Sequence, residues 1–124
     1  MLVIDLQLVD ICCHEIHKLV RSFFVNVFFL GENLALQGKA SQSSLYMFGT
    51  AYNAIDGNPG SKWEDGSCTH TKNNISPWWR LDLRRTHKVF TVKVTNREED
   101  PERLNGAEIR IGDSLENFGN NNSR

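Results

Sequence analysis

The chain has no dominant charge, no long uninterrupted apolar run and no even set of cysteines. Fourteen Lys and Arg against fifteen Asp and Glu give a formal net charge of -1. So even a balance builds no field to hold nucleic acid or an anionic membrane surface, and neither is expected as a partner. The first thirty residues are apolar in character, but Asp5, Asp10, Glu15, Lys18 and Arg21 interrupt them. A bilayer-crossing helix needs roughly twenty consecutive apolar residues, so membrane insertion is not expected. A clean secretory signal is missing too: Asp5 sits near the start and no Ala-x-Ala follows. There is no Gly-x-Ser-x-Gly elbow, zinc-binding His-Glu-x-x-His helix or phosphate loop. Adjacent Glu64 and Asp65 do not resemble carboxylates that flank a scissile glycosidic bond. An enzyme is therefore not expected. No internal repeat is visible.

The cysteines are Cys12, Cys13 and Cys68. An odd count leaves open a free thiol, an intermolecular bond or a missing partner. Cys12-Cys13 beside His14 and His17 lacks the Cys-x-x-Cys spacing of structural zinc sites.

What is present suits one domain of modest core: 124 residues, 40% of them hydrophobic. Residues 1–31 stand apart from the rest. Three readings of them stand: a degenerate signal, a structural segment peculiar to this chain, or the product of an incomplete gene model. They do not read as strands of the module that follows. Residues 32–124 read as a loop-rich β module, with Gly, Asn and Ser between short apolar runs. Asn33 to Gln37 alternates weakly and predicts a first strand. Trp79, Leu81 and Leu83 alternate with Trp78, Arg80 and Asp82, which predicts a strand with Trp79 in the core. Arg80 and Asp82, two apart on one face, are expected to pair with each other. Phe90, Val92 and Val94 alternate with Thr91, Lys93 and Thr95, a half-buried strand that delivers Arg97 to its end. Ile109 and Ile111 alternate with Glu108 and Arg110 in a further strand. Short antiparallel strands without a convincing amphipathic helix point to a sandwich.

Several residues carry two readings. Leu45-Tyr46-Met47-Phe48 is either a short buried strand or an apolar rim. Trp63 is either core or an exposed aromatic wall. Asn53, Asp56, Gly57 and Asn58 make a turn cluster that is also rich in the hard oxygens Ca²⁺ prefers. His70, Arg97 and Arg103 stand at turns between strand-like runs. They are either surface groups pairing with Glu98, Glu99, Asp100 and Glu102, or a set of donors for neutral hydroxyls.

The order of these words resembles the F-type lectins, the fucose-binding lectins of eel-agglutinin type. His70 is followed by twenty-six residues and then Arg97, an acidic residue at Glu99 and a second arginine at Arg103. Glu32-Asn33-Leu34-Ala35-Leu36, Tyr52-Asn53-Ala54-Ile55-Asp56-Gly57-Asn58, Pro77-Trp78-Trp79-Arg80 and Arg103-Leu104-Asn105-Gly106-Ala107-Glu108 also match. The resemblance implies an all-β, jelly-roll β-sandwich of discoidin-like type, expected to be incomplete at its C-terminus. It implies that His70, Arg97 and Arg103 converge on α-L-fucose, that Glu99 orients an arginine or holds the loop, and that Trp63 and the Tyr46 rim meet the sugar's methyl group. It implies a structural Ca²⁺ at Asn53, Asp56, Asn58 and Ser67, completed in the family by a Cys-Glu pair that this chain does not reach. Cys68 resembles the cysteine that bonds that late cysteine, and so is expected to be unpaired unless Cys12 or Cys13 substitutes. The family's acidic residue is usually aspartate, and its arginines often flank two adjacent cysteines. Here the intervening loop is one residue shorter and reads Glu98-Glu99-Asp100-Pro101-Glu102.

The expected function is a secreted, non-catalytic, calcium-supported lectin for terminal α-L-fucose on glycans or glycoproteins. Agglutination needs two sites per particle, so a homo-oligomer is compatible with it. The alternatives are a discoidin-like adhesion module without sugar binding, and an inactive fragment.

Overall fold

A computed structural model describes residues 2–5, 10–17 and 32–124, the first two segments as backbone strands only. The strands are β1 (Leu2–Asp5), β2 (Asp10–His17), β3 (Lys39–Gln42), β4 (Cys68–His70), β5 (Trp78–Asp82), β6 (Thr91–Asn96) and β7 (Glu108–Ile111). They form a four-stranded sheet in the order β3-β5-β1-β7 and a three-stranded sheet in the order β4-β2-β6. The paired strands run antiparallel throughout. The result is a β-sandwich, joined by short 3₁₀ turns.

Strand β5 sets the core. Its period-two pattern buries Trp79 and Leu81 completely and leaves Trp78 and Arg80 half-buried. Leu83, just past the strand, continues the inner row. Trp79 donates its indole N–H to the Ala51 carbonyl at 2.9 Å, which satisfies its one polar atom. Leu34, Ala35, Ala40, Ala51, Ala54 and Ile55 fill the space around it, and Val92 and Val94 pack from β6. The core therefore lies between the two sheets. Burying side chains of this size contributes roughly 1.5–3 kcal/mol each.

Three sequence readings differ from the structure. Leu34–Gln37 is a 3₁₀ turn, not a strand; the Asn33 side chain caps it by accepting from Ala35 N–H at 3.1 Å. Adjacent Leu34 and Ala35 are both buried there, which a half-exposed strand does not allow. The next segment carries β3. Arg80 does not pair with Asp82. Its Nε donates to Ser41 Oγ at 2.8 Å and its guanidinium lies 5.1 Å from the Trp78 ring, while Asp82 accepts from Arg84 N–H. The expected strand at 108–111 forms as β7, and in it the polar residues are the more buried set: Arg110 pairs with Glu108 at 2.7 Å, and Ile109 and Ile111 face outward. Finally, residues 2–5 and 10–17 do supply strands. β1 lies between β5 and β7, and β2 lies between β4 and β6. Cys68 is fully buried and disulfide-bonded, and Cys12 stands opposite it in the β2–β4 register.

Candidate functional site

Both β4 and β6 run antiparallel to β2, so they are parallel to each other and end on the same side. The register places His70 opposite Asp10 and Asn96 opposite Ile11. Hence His70, the last residue of β4, and Arg97, the first after β6, emerge at one end of the smaller sheet. That shared end is where the sequence-nominated sugar residues gather.

On one side stand aromatic rings. Tyr46 packs on His70 with centroids 4.6 Å apart, and Phe48 stacks on Trp63 at 4.3 Å. Trp63 meets His70 edge-on at 5.4 Å. The loop from Leu45 to Phe48 is exposed and not a buried strand; Tyr46 is 44% and Phe48 49% accessible. Its backbone is nonetheless pinned to His70. Tyr46 N–H donates to the His70 carbonyl at 3.0 Å, and His70 N–H donates to the Gly49 carbonyl at 2.9 Å. A β-carbon at Gly49 would lie 2.6 Å from both the His70 backbone nitrogen and its Cβ, and 2.9 Å from the Trp63 ring. Only glycine lets the rim loop approach this closely.

Sequence reasoning missed Gln42, which ties this half together. Its Nε2 donates to the carbonyls of Ser44, Gly49 and His70, at 2.5, 3.0 and 3.1 Å, and its Oε1 accepts from Thr69 Oγ. The Asn53 amide adds bonds to the Phe48 and Cys68 carbonyls at 2.9 and 3.0 Å. Nothing around Gln42 in the sequence marks it, because its partner His70 lies 28 residues on.

On the other side stand the arginines. Arg97 Nε donates to Glu99 Oε2 at 2.8 Å, and its guanidinium lies 5.3 Å from the Trp63 ring centroid. The same carboxylate oxygen accepts from Trp63 N–H at 3.4 Å. Hydrogen bonding to Arg97 holds the Glu99 carboxyl below the usual glutamate range. Glu98 docks the loop: its N–H donates to the Ser61 carbonyl at 3.0 Å, and its carboxylate accepts from Ser61 Oγ at 2.8 Å. The Asn96 amide closes the loop on the Pro101 carbonyl at 2.8 Å. Arg103 follows on the 3₁₀ turn Pro101–Leu104 and pairs with Asp100 at 2.8 Å.

The two halves meet at His70. Its Nδ1 faces the Thr71 carbonyl at 2.5 Å, and a carbonyl only accepts, so Nδ1 carries the proton. Nε2 is then the acceptor, 3.3 Å from Arg103 Nη1. A chain of contacts thus links Tyr46, His70, Trp63, Arg97, Glu99 and Arg103. The arrangement sets fixed N–H donors and one imidazole acceptor beside an apolar wall, which can grip a neutral polyol.

The residues nominated for a metal lie in the turns between residues 53 and 67. Asp56 Oδ1 accepts from Asn58 N–H at 2.8 Å, and Asn58 Oδ1 accepts from Gly60 N–H at 3.0 Å. Asn58 Nδ2 donates to the Asp65 carbonyl, and Ser67 Oγ to the Gly60 carbonyl. Asp56, Asn58 and Ser67 therefore share one turn network, whereas the Asn53 side chain is committed to Phe48 and Cys68. The donor atoms are hard oxygens with a single carboxylate, Asp56. No group of three or more His, Cys, Asp or Glu suited to a metal occurs among the described residues.

Comparison with known proteins adds to this geometry. The sequence profile of the NedA-like, galactose-binding domain matches residues 53–124. The chain is 48% identical over 97 residues to fucolectin-5 of Anguilla japonica, covering 73% of this chain and 51% of that protein. It is 46% identical over 100 residues to fucolectin-1 of the same eel, covering 76% and 56%. The crystal structure of a fucolectin from striped bass (Morone saxatilis) serum superposes with a TM-score of 0.72 at 39% identity, covering 98% of this chain and 62% of that one. The chain spans about half the length of the curated relatives it matches.

Proposed function

This chain belongs to the NedA-like, galactose-binding domains and carries an F-type lectin domain, and on that premise we propose that it is a non-catalytic lectin for terminal α-L-fucose. The observation that carries the reading is the convergence at His70: Arg103 within 3.3 Å, and Trp63 and Tyr46 against the imidazole ring. A fucose ring offers hydroxyls that donate and accept, a ring oxygen, and a methyl group. With the sugar bound, Arg97 and Arg103 donate to its oxygens through guanidinium forks, and His70 Nε2 accepts from a hydroxyl in place of its 3.3 Å contact with Arg103 Nη1. Each such charged hydrogen bond contributes roughly 1.5–3 kcal/mol in good geometry. Trp63 and Phe48, with Tyr46 on the rim, supply the apolar surface for the methyl group. A galactose C6 hydroxyl placed there would lose its water without gaining a partner, which sets the preference.

Calcium is part of the proposal. The oxygen set fits its chemistry, with Asp56 giving charge and Asn58 and Ser67 further oxygens; Asn53 would contribute through its carbonyl. When bound, the ion supplies fixed positive charge that holds the turn. The chain's own part is to keep the 56–67 turns closed. Partners would be fucosylated glycans or glycoproteins met outside the cell, the compartment of the serum lectin it matches. Self-association would turn one site per chain into a multivalent surface.

Calorimetric titration of the folded 124-residue chain with L-fucose tests this, with galactose and His70→Ala as controls. Saturable heat with fucose, abolished in the variant, is the expected result. A folded chain giving no heat with fucose would sink the lectin reading and favour an adhesion module.

A further inference from the structure

The arginine loop contains a feature that the sugar-site pattern does not require: besides the Glu99 beside Arg97, the second arginine has a carboxylate of its own. Arg97 pairs with Glu99 and Arg103 with Asp100, each at 2.8 Å. Asp100 adopts the left-handed backbone region at φ 53°, ψ 50°, one residue before Pro101. That conformation is unfavourable for a non-glycine residue, although Asp tolerates it better than most. The turn that follows fixes it. The Asp100 carbonyl accepts from Arg103 N–H at 3.1 Å, so backbone and side chain of the two residues are joined twice. Glu98 and Glu102 are exposed on the same loop. Residues 97–103 thus set two guanidiniums among four carboxylates.

We propose that Asp100 is a specificity-determining residue that limits the pocket to uncharged sugars. Resting on the reading of the site as a fucose pocket, the argument concerns the charge a bound glycan carries. An arginine without a countercharge would attract a carboxylate or sulfate on the glycan. With Asp100 paired to Arg103, the guanidinium still donates to hydroxyls, but an anionic substituent meets a carboxylate as well. Acidic glycosides are therefore selected against, while neutral ones keep their donors.

The test compares two ligands of the same shape, 4-carboxyphenyl α-L-fucoside and its neutral carboxamide. The wild-type chain, Asp100→Asn and Asp100→Glu are titrated with both, at low and high salt. The wild type is expected to prefer the amide by up to about threefold, because four carboxylates outnumber two guanidiniums on residues 97–103 and one uncompensated charge roughly 7 Å away in water has about that effect. Asp100→Asn keeps the shape and an acceptor oxygen for Arg103, and is expected to abolish or reverse that preference. Asp100→Glu is expected to restore it. The wild-type preference should shrink as salt rises. A purely structural role would weaken both ligands equally and leave their ratio unmoved. An unchanged ratio in Asp100→Asn, with the amide still bound, overturns this proposal alone. Failure of the folded wild type to bind the amide overturns the fucose reading and this one with it.

Discussion

The two halves of the candidate site are held by different physics. The aromatic half is built from inside. Gln42 spreads one amide over three backbone carbonyls, and Gly49 touches the His70 backbone where no side chain fits. The arginine half is built from outside, through partly exposed pairs such as Arg103–Asp100, with side chains 32% and 45% accessible. Partly buried hydrogen-bond networks lose much when one member goes, because the rest are left unsatisfied. Exposed ion pairs contribute about 0–1 kcal/mol to stability, yet still decide where a guanidinium points. The aromatic half should therefore be coupled to folding, and the arginine half to affinity.

The sharpest way to break this contrast is at Gly49. Gly49→Ala is expected to abolish fucose binding and to lower stability by about 1–3 kcal/mol, since His70 and Trp63 must both move. Chemical denaturation alongside calorimetry checks it, and full binding at wild-type stability would refute the close contact. Gln42→Ala should come next. Three carbonyls lose the Gln42 amide, although those of Gly49 and His70 keep a backbone donor, at a cost of about 1–3 kcal/mol, and affinity should fall in step with stability. Glu99→Gln should behave in the opposite way: a severalfold loss of affinity with little change in the midpoint of unfolding. If its melting shift matched that of Gln42→Ala, the contrast between the halves would fail.

Acid titration sharpens the same point. The Glu99 carboxyl is lowered by its bond to Arg97, so the stabilisation of the loop is fully present above the unfolded value and is lost as pH falls through the folded one. The share of fucose affinity that Glu99→Gln removes, read as the difference between wild-type and variant titrations followed by fluorescence, should be lost at lower pH than an ordinary glutamate would give. Glu99→Gln should lack this acid limb. The smallest effect is expected from chelation. Removing Ca²⁺ should loosen the 56–67 turns and lower the melting temperature modestly, and Asp56→Asn should make the chain insensitive to chelator.

Local chemistry made part of this molecule legible. The alternation around Trp79 predicts both a strand and its buried face, because side-chain direction along a strand follows from the backbone alone. The spacing from His70 to Arg97 nominates residues that the structure then sets within one run of contacts. Other features were not legible. Leu34–Gln37 looks extended until its Asn33 cap and two adjacent buried residues are seen. Arg80 has an acid two residues away but bonds Ser41, across the β3–β5 pair. Asp100 looks like one acid among several, until its left-handed backbone places it on Arg103.

The sequence by itself determined the inner face of β5, the turn-rich character of 49–67, and the clustering of basic and acidic groups after β6. Each is set by neighbours within a few residues, through backbone geometry and short-range sterics. Only the tertiary structure decided that β2 separates β4 from β6 while bringing their ends to the same side, that Gln42 holds His70, and that β7 turns its isoleucines outward. Those outcomes depend on sheet order and register. Both are fixed by contacts between segments far apart in the chain, which no local pattern encodes.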